Sequence, residues 1–85
     1  MLATVEKTEI LESDLISEPA PHILATGKNV MIFNLKMTNK SIGLKTGKSF
    51  SFEQEIYEVM NVTTVQSKND YLKLNCVRQY ELGVL

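Results

Sequence analysis

At 85 residues, the chain is long enough for one domain, spanning 1–85, and too short for two, because an independent core needs roughly 50 to 150 residues. Its 44% hydrophobic and 22% charged content argues against disorder over most of the length, and no apolar run approaches the roughly 18 residues of a membrane-spanning helix. The net charge of −1 hides sign-segregated blocks: five acids against one lysine in residues 1–18, five lysines and no acid in 19–52, and three acids in 53–58.

Residues 3–10 suit a strand. Leu11, Leu15 and Ile16 then have helical spacing, which predicts a short helical turn that Pro19 stops. A short strand is expected at 23–26, its start set by Pro19 and Pro21, followed by a turn at Gly27, Lys28 and Asn29. In 30–37, Met31, Phe33, Leu35 and Met37 alternate with Val30, Ile32, Asn34 and Lys36. A period of two puts the first four side chains on one buried face of a strand. Residues 38–48 are polar and glycine-punctuated and read as an exposed loop or an irregular hairpin.

Phe50 and Phe52 alternate with serines, and the polar corner at Glu53, Gln54 and Glu55 leads into a long β-prone run over 56–65, a further hairpin. Tyr57 and Val59 share one face of that run, whereas Met60 and Val62 fall on the other, so a β-bulge is expected near Met60 and Asn61. The turn cluster at 67–70 precedes a last alternating strand over 71–79 with Leu72, Leu74 and Cys76 on one face. Beyond it, Leu82, Val84 and Leu85 make an apolar tail suited to docking on a partner. Together these hairpins predict an all-β fold: a small antiparallel β-barrel or sandwich with a projecting loop and a short helical turn near the N-terminus.

Catalytic and metal chemistry find little footing. Thr46, Gly47, Lys48 and Ser49 imitate the end of a phosphate-binding loop, but the required upstream glycine is replaced by Ile42, and the surrounding α/β architecture does not fit in this length. His22 has no partners at metal-ligand or relay spacing and reads as a surface histidine. Cys76, the single cysteine, excludes an internal disulfide and reads as a buried small hydrophobe. Glu53, Glu55 and Glu58 lack the ligand density and glycine of a calcium loop and read as a solvated hairpin tip. No cofactor and no catalytic residue is expected.

The region 28–48 is lysine-rich and flanked by Phe33, Phe50 and Phe52. Small barrels hold single-stranded nucleic acid with basic residues and exposed aromatics, but here the phenylalanines fall on core faces. Lys36, Lys40, Lys45 and Lys48 remain as candidates for contact with a partner or with DNA phosphates. A small binding module for nucleic acid or a regulatory protein, such as a phage-encoded inhibitor, is the alternative this region supports. The N-terminus lacks a basic segment followed by an apolar core, which predicts an intracellular, cytoplasmic protein.

The order Phe50, Ser51, Phe52, polar corner, Ile56, Tyr57, Glu58, Val59, Met60, Asn61, Val62, turn at 67–70, then Tyr71, Leu72, Lys73, Leu74, Asn75, Cys76 resembles the tailed-phage head-closure, or head–tail joining (stopper), proteins of the neck. The likeness covers 49–79. It implies a non-enzymatic virion subunit assembled in the host cytoplasm, forming a ring of its own copies between portal or adaptor and tail. The 36–48 loop would then line a channel crossed by DNA, and sheet edges and complementary charged faces would join the copies.

Overall fold

The computed structural model describes residues 8–79. Its strands are β1 (Thr8–Ile10), β2 (Ala20–Ile23), β3 (Asn29–Lys36), β4 (Ser49–Phe52), β5 (Glu55–Val65) and β6 (Tyr71–Gln79), with a 3₁₀ turn at Glu12–Asp14 and a short helix, α1 (Asn39–Ile42). They form one sheet in the order β1-β4-β5-β6-β3-β2. All pairs are antiparallel except β1 with β4, which run parallel, so the sheet is mixed where hairpin reasoning predicts an antiparallel one. The N-terminal segment serves both sides of it. β1 lies along β4, and past the 3₁₀ turn Leu15 bridges to Leu35 while the Ile16 N–H donates to the Asn34 carbonyl at 2.8 Å. One segment thus reaches from β4 on one side of the sheet to β3 on the other, so the all-β fold is one curled sheet, nearer the barrel than the sandwich of the two expected forms.

The concave face is the core. Ile10, Phe33, Leu35, Leu44, Phe50, Phe52, Tyr57, Val59, Leu72, Leu74 and Cys76 form one buried cluster, with Leu15, Met31 and Val62 packed against it. Phe33 sits at its aromatic centre, edge-on to Phe50, Phe52 and Tyr57 at centroid distances of 5.0, 5.5 and 4.8 Å. The expected bulge is present: the β5–β6 register shifts between Val59 and Asn61, which returns Val62 to the core face and leaves Met60 exposed.

Three expectations are corrected. Met37 is 44% exposed, because β3 ends at Lys36 and the period-two rule lapses with the strand. The first strand of the β2–β3 hairpin is 20–23 and not 23–26. It runs through Pro21, which the fold tolerates for a definite reason. The Leu24 N–H bonds the Lys28 carbonyl, and with Ala20 opposite Ile32 and His22 opposite Val30 this makes residues 20 and 22 the ladder-bonded ones. Pro21 therefore turns its missing donor to the free edge, where no ladder bond is lost. The hairpin closes over Gly27 at φ +88°, a left-handed position open to glycine without strain. Lastly, the stretch expected to be loop over 38–48 contains α1, capped by a reciprocal pair. The Thr38 N–H donates to Ser41 Oγ at 2.9 Å and the Ser41 N–H to Thr38 Oγ1 at 3.1 Å. Serine here fills the place that glutamate or glutamine takes in the usual capping box.

The β4–β5 hairpin turns through Glu53 and Gln54, at φ 50° and 68°, with Phe52 paired to Glu55. A two-residue turn with both central φ positive is the type I′ form, which strongly prefers Asn-Gly. Replacing Gln54 by glycine is expected to raise stability by about 0.5–1 kcal/mol by relieving the left-handed strain. A rise of a few degrees in thermal midpoint would register the gain; an unchanged or lower midpoint would contradict it.

Candidate binding surfaces

Hairpin topology brings lysines from different parts of the chain to one end of the sheet, while Lys28, in the β2–β3 turn, lies at the other. β3 ends at Lys36 beside Tyr71, the first residue of β6, while Lys73 lies opposite Asn34 and Thr63. Lys68 sits in the turn joining β5 to β6, and Lys45 follows α1. These four lysines, all exposed, lie at one end, together with Asp70, exposed in the same turn as Lys68. The opposite end carries the Glu53–Gln54 turn and, through the 15–19 segment, Glu12 and Glu18. Arg78 lies there too, 3.7 Å from Glu55.

Each end has an apolar recess. At the basic end, Met37, Ile42, Leu44, Val62 and Leu72 line an open groove of about 340 Å³ with Lys45 on its rim. Ile42 is 52% exposed, although a β-branched apolar side chain gains most from burial. At the acidic end, Leu15, Ile16, Pro19, Met31, Phe52 and Tyr57 line a recess of about 530 Å³ rimmed by Glu12, Glu18 and Glu53. Charged rims around apolar floors suit macromolecular contacts, where polar rims orient and apolar floors bind.

Among the four candidate lysines, Lys36, Lys45 and Lys48 are exposed. Lys40 is not available. Its Nζ donates to Asp14 Oδ2 at 2.7 Å and to the Glu9 carbonyl at 3.1 Å, clamping α1 to the N-terminal segment across the barrel. This pair, helped by the Leu11 N–H, holds the Asp14 carboxyl below its ordinary pKa. Sequence reasoning missed the clamp because its partners lie 26 positions apart. Replacing Lys40 by alanine is expected to destabilise the fold by about 1–2 kcal/mol, since a part-buried charge-assisted bond is lost. In a double-mutant cycle with Asp14→Asn the two losses should fall short of additivity; full additivity would show that the contact contributes nothing. Leu82, Val84 and Leu85 lie outside the described residues.

Cys76 is fully buried and desolvation pushes its pKa up to about 12, so at neutral pH it is a thiol and not a nucleophilic thiolate. His22 is exposed on β2. Among the described residues no group of three or more His, Cys, Asp or Glu side chains could hold a metal ion, and no helix is long and apolar enough to cross a membrane. The phenylalanines that could have stacked on bases are 0% (Phe33, Phe50) and 6% (Phe52) exposed. In comparison with known proteins, the chain matches no family model, and no curated protein and no solved structure matches it.

Proposed function

We propose that this protein is a non-enzymatic structural subunit that works by assembling with copies of itself and with neighbouring proteins, in the manner of the connector rings of tailed-phage necks. The observation that carries the reading is a pair of unlike recesses: an apolar groove with Lys45 on its rim at one end, and an apolar recess rimmed by Glu12, Glu18 and Glu53 at the other. Such a subunit has two unlike, complementary surfaces, the requirement for a head-to-tail contact that closes into a ring. The prolines refine the mode of assembly. Of the two residues of β2 that face its free edge, Pro21 has no N–H to give, so strand addition along the β2 edge is disfavoured.

Native mass spectrometry of the purified chain, alone and co-expressed with portal, adaptor and tail proteins from its gene neighbourhood, tests this. A ring or a defined co-complex is the expected result. A chain that stays monomeric and joins none of these proteins would remove the reading. Salt-dependent binding of single-stranded nucleic acid, abolished by replacing Lys36, Lys45 and Lys48, would instead support the binding-module alternative.

A further inference from the structure

The groove at the basic end lacks a partner within the described residues, and its chemistry specifies what would fill it. Its floor is aliphatic, from Met37, Ile42, Leu44, Val62 and Leu72, and its rim carries Lys45. A fitting occupant is a short extended segment with two or three aliphatic side chains and a carboxylate. The chain itself supplies one beyond β6, in Glu81, Leu82, Val84 and Leu85. Its own copy of the groove cannot seat the whole segment. β6 runs from Leu72, which lines the groove, to Gln79 at the opposite end of the barrel beside Ile56. That separation is about 23 Å along the strand. Val62, the lining residue paired with Leu74, is nearer, about 16 Å from Gln79; fully extended, Leu82 reaches at most about 11 Å, Val84 about 18 Å and Leu85 about 22 Å, so the last side chains alone could approach the groove of the same copy while Glu81 and Leu82 could not enter it.

We infer that the segment Glu81–Leu85 of one copy docks in the Met37–Ile42–Leu72 groove of a second copy, joining the acidic end of the first to the basic end of the next. The inference rests on the assembly reading and gives it a specific contact. Three features carry it. The aliphatic pattern of the segment matches the groove floor. Glu81 meets Lys45, with Lys36 nearby, whereas the recess at the segment's own end is rimmed by Glu12, Glu18 and Glu53, which repel a carboxylate. The root of the segment, Gln79, sits at the end that must face the neighbour's lysines for the charges to be complementary. The contact is heterologous: donor and acceptor surfaces are different, so every copy keeps one of each until a ring closes.

Such a contact has a signature that a self-complementary interface lacks. Ile42→Asp removes the acceptor and leaves the donor; Leu82→Asp together with Val84→Asp removes the donor and leaves the acceptor. Ile42 lies outside the buried core, and circular dichroism verifies that each variant folds. By sedimentation velocity each variant alone is expected to self-associate at least about tenfold more weakly than the parent chain, the range of a lost interface anchor. Mixed in equal amounts, they should form one-to-one dimers that grow no further, because one working donor meets one working acceptor. If the parent chain assembles and both variants assemble equally well, the tail-in-groove contact is wrong while the assembly reading stands. If the parent chain is monomeric and joins no partner, both fall. Should the mixture stay monomeric while the parent chain assembles, the segment and the groove do not meet.

Discussion

Replacing Phe33 by alanine is expected to destabilise the domain by about 3–5 kcal/mol, the cost of removing a large buried aromatic without full collapse of the site. Phe33 is 0% exposed and its ring touches Phe50, Phe52 and Tyr57, contributed by β4 and β5. Its own strand pairs with β6 and β2, so the cavity would open where both halves of the sheet meet. Domains of this size are stable by about 4–13 kcal/mol, so the variant would stand near the unfolding threshold at 37 °C. Urea unfolding, read as a shift in midpoint at constant slope, measures the loss. Met37→Ala is the matched control. The alternating pattern puts Met37 on the face of Phe33, yet at 44% exposure its truncation should alter monomer stability by no more than about 0.5 kcal/mol. A cost for Met37 comparable to that for Phe33 would contradict the end of β3 at Lys36.

The contrast between those two residues marks how far the sequence can be read. Alternation is a local signal, and it located the strand of Phe33, the bulge after Val59 and the last strand, whose bounds at Tyr71–Gln79 are those of the expected run. A strong turn cluster fixed where β6 begins. Alternation cannot say when a strand stops without a glycine or proline to stop it, which is why Met37 was placed inside. The helix α1 is four residues long, too short to show a 3.6-residue period; the available signal was the pair Thr38 and Ser41 at capping-box spacing. The parallel pairing of β1 with β4 joins residues some 40 positions apart, and no periodicity encodes a partner.

Charge followed the same division. The blocks of lysines and carboxylates are visible in the sequence, but a block is not a patch: the hairpins set Lys36 and Lys45 beside Lys68 and Lys73 from outside the block and carry Lys28 to the opposite end. Lys40 shows the limit residue by residue, since as a loop lysine it resembled Lys36, Lys45 and Lys48. Only the fold reveals that Asp14 takes it out of the binding surface and makes it a clamp.

Raising the pH should weaken the fold through Cys76, and the direction follows from proton linkage. The thiol is fully buried and its pKa rises from 9.0 to about 12, because the sheet interior cannot solvate a thiolate. Between those values the unfolded chain gives up the proton while the folded one keeps it. The folded state then binds more protons, and stability falls as pH rises, by about 1.4 kcal/mol per unit and about 4 kcal/mol across the window. Tyr57, raised above 10.0 by its own burial, contributes with the same sign. The control is Cys76→Ala, which creates a small cavity and lowers stability at every pH, yet removes the cysteine's share of the slope. Urea midpoints from pH 8 to 11 should fall more steeply for the parent chain than for the variant. Parallel curves would mean that Cys76 ionises as freely in the folded chain as in the unfolded one, and the closed core around Val59, Leu74 and Met31 would have to be abandoned with it.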